Sequence, residues 1–208
     1  MSTQLHAISN IETTKEEVLA NKGFYLEKLK ALQLEHTSTP LNDDKGNFIG
    51  WKKSEGDWEY EFPTIYDAET DSVVADTEAA EIIYFYSPFE FAIRVYDKCL
   101  ELICIYKYNY LYAIGHNDAL NEFRKNVYDI ISIFGGTEII YLADNGCDKL
   151  SEYLELQVWE GFSYQSIKKG MLLTGLPFVS DYGLLNHDKL TYSKITEFVF
   201  DDFSDIKT

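Results

Sequence analysis

Two stretches of the chain repeat apolar residues at helical spacing. Residues 13–34 begin with overlapping capping boxes, and Val18, Tyr25 and Leu29 then recur on one side. Residues 117–134 start at a possible Asn cap and stop at two glycines, with six apolar residues sharing a face: Leu120, Phe123, Val127, Ile130, Ile131 and Phe134. Both stretches are predicted to be helices. Shorter helices are predicted over about 148–156 and 163–173.

Strand-forming residues dominate the middle of the chain. Ile, Val, Phe and Tyr are enriched over about 81–115, and residues 89–96 alternate with period two. Asp97 and Lys98 form a natural turn, so an antiparallel meander is the simplest topology. Residues 137–143 predict a short buried strand, and residues 197–203 a late strand or docked segment. Strands grouped centrally with helices around them predict the α+β class, with a mainly antiparallel sheet from about 81–115 plus 137–143.

The acidic residues are concentrated in one region. The 208 residues contain 18 Lys and Arg against 35 Asp and Glu, a net charge of −17. Residues 41–81 hold twelve of the acids and only three lysines, interleaved with Trp, Tyr and Phe. No repeat or Ser/Gly/Pro-rich linker divides the chain. We therefore predict one α+β domain over residues 1–208 with an acidic, aromatic-rich segment at 41–81.

This charge balance affects the choice of partner. An apolar fraction of 46% is typical of a folded protein, so the charge does not indicate disorder. A direct nucleic-acid binder is disfavoured because Lys and Arg supply most of the affinity for phosphate backbones.

Neither a signal peptide nor an apolar run of membrane-spanning length is evident. Three cysteines in apolar surroundings suit reduced core thiols, so we expect a cytoplasmic protein, of bacterial type, without membrane contact.

Local signatures of catalysis or cofactor binding are missing from the sequence. It contains no phosphate-binding glycine loop, no hydrolase elbow and no spaced metal-ligand motif. Accordingly, no cofactor, metal or catalytic residue is predicted. Asp201, Asp202 and Asp205 are interpreted as a solvated C-terminal face, and His116 as a loop histidine. Glu138 and Asp144 flank one strand and provide an alternative hypothesis, an enzyme with a carboxylate-based site.

Candidate partner-binding residues combine acids with aromatic side chains. Asp and Glu steer association with a cationic surface, whereas Trp and Tyr supply buried anchors. A row of tyrosines at 106, 108, 110 and 112 would line one strand face, as a sheet face covered by a helix, as a second recognition surface or as an oligomer interface. The predicted binding residues are Trp51, Asp57, Trp58, Glu59, Tyr60, Glu61, Asp67, Glu69, Asp71, Tyr108 and Tyr110.

Together these features favour an acidic cytoplasmic binding protein that neutralises or escorts a basic protein. An immunity-type inhibitor of a toxin such as a nuclease is the natural example, because a nuclease cleft must be basic to hold phosphates. The analogy rests on composition and size and assigns no residues. The alternatives are the carboxylate enzyme, a structural or assembly subunit, and acids that serve only solubility.

Overall fold

The computed structural model describes residues 4–34, 40–46, 48–51, 57–61, 64–67, 72–75, 83–87, 91–103, 117–144, 158, 161–173, 178–179 and 198–206. Its helices are α1 (Lys15–Ala20), α2 (Lys22–Ala31), α3 (Asn117–Ser132) and α4 (Tyr164–Leu173). Its strands are β1 (Gln4–Ser9), β2 (Pro40–Asn42), β3 (Phe48–Trp51), β4 (Glu59–Glu61), β5 (Thr64–Asp67), β6 (Ser72–Ala75), β7 (Ile83–Ser87), β8 (Phe91–Val95), β9 (Leu100–Ile103), β10 (Ile139–Asp144), β11 (Phe178–Val179) and β12 (Phe198–Asp201).

The main sheet has eight strands in the order β11-β12-β10-β1-β9-β8-β7-β4. Every pairing is antiparallel except that of β11 with β12, and the α+β class is confirmed. The β7–β8–β9 meander includes the predicted turn at Asp97 and Lys98, where the Tyr96 amide donates to the Cys99 carbonyl. Within the described part of the acidic segment, β2 with β3 and β5 with β6 form separate two-stranded sheets, whereas β4 joins the main sheet.

The predicted extent of the sheet was too small, because it omitted β1 at the centre and β4 and β11 at the edges, whereas the late strand suggested over 197–203 corresponds to β12. β1 pairs with β10 on one side and with β9 on the other. A central strand buries both faces, so it shows no alternation of polar and apolar residues. Here both faces also contain polar or small residues, since His6, Ala7 and Ser9 are all buried. The sequence of β1 therefore lacks the residue pattern by which strands are predicted.

Helices cover the two faces of the sheet unequally. On the first face, Ile83, Phe85 and Ile93 pack in one cluster with buried side chains of the first three helices: Val18, Tyr25, Leu29, Phe123, Val127, Ile130 and Ile131. On the second face, Ile8 and Ile140 cluster with α4. Within the described ranges, no helix is long and apolar enough to cross a membrane.

The single helix predicted over residues 13–34 is divided into α1 and α2 at Asn21. Thr14 caps α1 as expected, its hydroxyl accepting from the Glu17 amide at 3.2 Å. The Asn21 side chain donates to the Glu17 carbonyl at 3.0 Å, and its φ of −126° leaves the helical region. Asn competes for backbone groups in this way, which explains the break.

The predictions for α3, α4 and β10 are confirmed, whereas the predicted helix at 148–156 lies outside the described residues. Helix α3 ends at the two glycines as expected. Gly135 adopts a φ of +78°, and the Gly136 amide donates to the Ile131 carbonyl at 2.8 Å. These contacts bring the chain directly from α3 toward β10, beside the end of β1.

Gly136→Ala should destabilise the fold by about 1–3 kcal/mol, the usual range for overpacking. A Cβ at this position would lie 2.9 Å from the Asn10 carbonyl oxygen and 2.9 Å from the Ile131 Cβ. Gly23→Ala is the matched control, because nothing lies within 4 Å of its Cβ position inside α2. It should stabilise by about 0.5–1 kcal/mol. Urea unfolding of both variants is the measurement, and equal effects would contradict the packing argument.

The C-terminal segment is held onto α3 by an arginine. The buried Arg124 guanidinium donates through Nε and Nη2 to Asp201, at 2.7 and 2.9 Å, and through Nη1 and Nη2 to Asp205, at 2.8 and 2.7 Å. Phe203, fully buried, enters the first-face core between the two aspartates. The prediction of a solvated aspartate face was therefore wrong for Asp201, which is buried, and Asp205 is also paired.

Candidate functional site

Acidic side chains are exposed where β4 forms the edge of the main sheet. Asp57 precedes this strand with a side chain 70% exposed, and it pairs with Lys30 of α2 at 3.0 Å. Glu59 is exposed, and its carboxylate makes no hydrogen bond or ion pair within the described part of the chain. An exposed carboxylate without a cation beside it keeps its full negative field toward solvent. Of Asp57 and Glu59, Glu59 is therefore the carboxylate that is more available to a partner.

Trp58 does not belong to the accessible surface. Its side chain is only 6% exposed and packs in the first-face core with Phe85. Tyr60 lies on the same side of the strand and contacts the Phe85 ring at 6.1 Å between centroids, while remaining 38% exposed. Trp58, Glu59 and Tyr60 alternate across the strand, so the aromatic side faces the core and Glu59 lies on the opposite side. Trp58 thus anchors β4 to the sheet and cannot be the partner-facing anchor.

Register identifies the aromatic residues on the acidic side of β4. Glu59 is paired with Tyr86, and residues directly opposite each other on neighbouring strands share a sheet face. The Tyr86 ring, half-buried, stacks on Tyr84 at 5.4 Å between centroids. Sequence reasoning missed these two tyrosines. The alternation of Ile83, Tyr84, Phe85 and Tyr86 could have placed the two tyrosines on one strand face. Nothing in the sequence indicated that this strand pairs with β4.

A buried ionic network crosses the same face beyond the tyrosines. Glu101 is 1% exposed, and its Oε1 lies 2.6 Å from Nε2 of His6. Its Oε2 accepts from the Tyr96 hydroxyl at 2.9 Å and from Nη1 of Arg94 at 3.2 Å. The Glu101 carboxylate, on β9, is therefore contacted by side chains from β1, from β8 and from the start of the β8–β9 turn. Sequence reasoning singled out none of these four side chains, because His6 is far from the other three in sequence and Arg94 meets Glu101 only when β8 pairs with β9.

This network fixes the ionisation of its members. Burial raises the pKa of the Glu101 carboxyl, but hydrogen bonding and charge from His6, together with the charge of Arg94, outweigh burial and hold that pKa below its ordinary value. Burial, with a contribution from the Glu101 charge, raises the pKa of the neighbouring Cys99 thiol to about 12. A thiol that stays protonated is a poor nucleophile, so Cys99 serves as a core residue.

Glu138 and Asp144 do not meet. They lie at opposite ends of β10, roughly 20 Å apart at the ordinary rise of a strand. Paired carboxylates of glycosidase type are about 5–10 Å apart. Glu138 is instead engaged by α4, accepting from Lys168 at 2.7 Å and Gln165 at 2.8 Å. The two residues therefore do not form an acid/base pair in this fold.

The other predicted site residues are dispersed or lie outside the description. Trp51 and Asp67 belong to β3 and β5, in separate two-stranded sheets, and Glu61 ends β4 opposite Tyr84. Outside the described residues lie Glu69, Asp71, Tyr106, Tyr108, Tyr110, Tyr112 and His116. Among the residues that are described, no three His, Cys, Asp or Glu side chains are grouped to hold a metal ion.

The arrangement suits non-covalent binding. An exposed carboxylate and a stacked tyrosine pair occupy one sheet edge, beside a half-buried arginine, Arg94, that is held by Glu101. Comparisons with known proteins return no match to a family model, to a curated protein or to a solved structure.

Proposed function

We propose that this chain is an acidic binding protein that neutralises or escorts a basic protein partner, in the manner of an immunity-type inhibitor of a toxin such as a nuclease. The supporting observation is the exposed carboxylate of Glu59 beside Tyr86 at the edge of the main sheet. A net charge of −17 adds long-range attraction for a cationic surface.

Charge and aromatic contacts have separate tasks in this proposal. Exposed carboxylates accelerate the encounter with a basic protein, an effect that salt screens. Aromatic side chains that become buried on binding slow dissociation. Because Trp58 is in the core, Tyr86 takes the anchoring role proposed for this surface. The acids of this edge and the stacked tyrosines are close enough to contact one partner surface.

The test begins with capture of the partner from cells that naturally express the chain, identification by mass spectrometry, and binding kinetics with the purified partner. Glu59→Lys should lower the association rate by roughly two- to fivefold and flatten its salt dependence. Glu122→Lys is the matched control, because it makes the same charge change at an exposed position of α3. Tyr86→Ala should mainly accelerate dissociation, by about tenfold or more.

The proposal fails if wild-type association is independent of salt, or if the Glu59 and Glu122 variants are slowed equally. Equal slowing would mean that only total charge matters and that this edge is not the interface. Failure to recover any basic protein would count against the partner class itself. Circular dichroism of each variant establishes that the fold is retained.

A further inference from the structure

The main sheet ends on one side at β4, a strand of only three residues. Glu59, Tyr60 and Glu61 pair with β7, and no strand among the described residues lies on their other side. An edge strand presents its unpaired N–H and C=O groups outward in the plane of the sheet, where another chain can pair with them. The outer side of β4 therefore offers backbone donors and acceptors to an added strand.

The side chains along this edge are accessible. The side chain of Asp57 is 70% exposed, and Glu59 is exposed as well. Tyr60 is 38% exposed, although the Phe85 ring that it contacts on the neighbouring strand is fully buried. The first-face core therefore ends at Tyr60, and an apolar residue placed across from Tyr60 would cover the exposed part of its ring.

Helix α2 holds β4 in place, so the edge is formed before a partner arrives. Oδ2 of Asp57 pairs with Nζ of Lys30 at 3.0 Å, and its Oδ1 accepts from the Trp58 amide at 3.0 Å. Nζ of Lys22 lies 5.2 Å from the centroid of the Tyr60 ring. A strand that is already ordered lowers the entropic cost of adding another one beside it.

Alternation along β4 specifies the side chains that an added strand should carry. Glu59 and Glu61 occupy alternate positions, and Tyr60 between them lies on the core side. Opposite charges directly across from each other stabilise a strand pair, and like charges destabilise it. The most favourable neighbour therefore places basic residues across from positions 59 and 61 and an apolar residue across from position 60.

A second copy of this chain fits the edge poorly. Two β4 strands paired antiparallel about Tyr60 would place Glu59 of each copy across from Glu61 of the other, which is unfavourable. Charged residues on edge strands commonly prevent such self-pairing. The net charge of −17 adds repulsion between copies. These charges favour a different protein with basic residues as the occupant.

We propose that β4 accepts an extended segment of a basic protein as an additional antiparallel strand of the main sheet, with basic residues across from Glu59 and Glu61 and an apolar residue across from Tyr60. This inference rests on the proposed function and names its mode of binding. Backbone hydrogen bonds to the edge supply affinity, and the alternating side chains supply specificity. Antiparallel pairing continues the pattern from β4 to β9 and is the more stable kind.

Short blocked peptides test this pairing without the natural partner. The probe is Lys-Ile-Lys-Ile-Lys, and the control is Lys-Lys-Ile-Ile-Lys, which has the same composition and charge but no alternation. Each is titrated into ¹⁵N-labelled protein at constant ionic strength while the backbone amide shifts are followed. The probe should shift the amides of β4 and β7 with a dissociation constant of about 1 mM, and the control should bind about fivefold more weakly.

N-methylation of the probe distinguishes strand addition from contacts of side chains alone. Successive amides of a strand point to opposite sides, so methyl groups on alternate residues face either β4 or solvent. One of the two alternate sets should therefore weaken binding by about tenfold or more, and the other should change it by less than about twofold. Equal effects of the two sets would overturn the proposal.

The charge match has its own control. Glu59→Gln should weaken binding of the probe by about two- to fivefold, whereas Glu122→Gln on α3 should leave it unchanged. The proposal is also overturned if the probe does not shift the amides of β4 or if probe and control bind equally. Shifts of the β4 amides that depend on protein concentration without peptide would identify a second copy as the occupant and would likewise overturn it.

The peptide experiment and the kinetic test of the natural partner can fail separately. A salt-dependent, Glu59-dependent association with a basic protein, combined with a silent β4 in the peptide titration, would disprove strand addition and leave the proposed function intact. Peptide pairing at β4, combined with partner association that is indifferent to Glu59, would refute the proposed function and retain the edge as a peptide-binding strand.

Discussion

Arg124→Met should lower the free energy of unfolding by about 3–5 kcal/mol, the usual effect of removing one partner from a buried ion pair. The reason is that the carboxyl group of Asp201, only 4% exposed, would be left in the core without the guanidinium that donates to it. For a chain of this length, a loss of that size lowers the melting temperature by roughly 10 °C. Differential scanning calorimetry or thermal circular dichroism measures it.

Lys125→Met is the control for Arg124→Met. It removes a cation from the next position of α3, where the side chain is 61% exposed and pairs with Asp129 on the surface, so a change below about 1 kcal/mol is expected. Adding Asp201→Asn to Arg124→Met should recover part of the loss, because the unpaired charge is removed. Equal melting temperatures for Arg124→Met and Lys125→Met would contradict the described clamp.

Glu101→Gln should destabilise by a similar amount, about 3–5 kcal/mol. The amide keeps the shape of the carboxylate but removes the negative charge that faces Arg94 and His6. Arg94 would then be a largely buried cation without a counter-charge. Urea unfolding at neutral pH measures the loss, and Glu122→Gln, an exposed change of the same kind on α3, should have little effect.

The Glu101 effect should also depend on pH. Its pKa in the folded chain lies below the ordinary value of 4.5. A depressed carboxyl pKa contributes stability that is fully present above the unfolded pKa and is lost as pH falls through the folded pKa. The difference in stability between wild type and Glu101→Gln should therefore be constant above about pH 5 and narrow in more acidic solution. An unchanged difference at pH 3.5 would disprove this assignment.

Local patterns predicted the elements whose signals are local. Helix α3 shows its apolar face and its glycine stop within 20 residues, and the β7–β8–β9 meander is predicted by strand-forming runs and a turn. β1 was missed because a strand buried on both faces shows no alternation of polar and apolar residues. In addition, a polar residue such as His6 suggests an exposed position, whereas His6 is buried. The division at Asn21 depends on one side chain that competes with the helix backbone.

The candidate site was only partly predictable, for a related reason. Charge and alternation identified β4, and they correctly separated its aromatic side from its acidic side. The alternation also indicated that the aromatic side would be buried, but it did not identify the neighbours of each side, which depend on the pairing of Tyr60 with Phe85 and of Glu59 with Tyr86. The Glu101 network requires residues from β1, β8 and β9, so its geometry exists only after the sheet has formed.

The central position of β1 also constrains how this chain folds during synthesis. The Ser9 hydroxyl donates to the carbonyl of Glu138, which lies 129 residues later. At ordinary rates of translation this separation corresponds to on the order of ten seconds. The backbone of β1 lacks β10 throughout that interval and lacks β9 for most of it, because Leu100–Ile103 are made well before Ile139–Asp144. β1 can therefore enter the sheet only after β9 and β10 have been made, later than the local β7–β8–β9 meander.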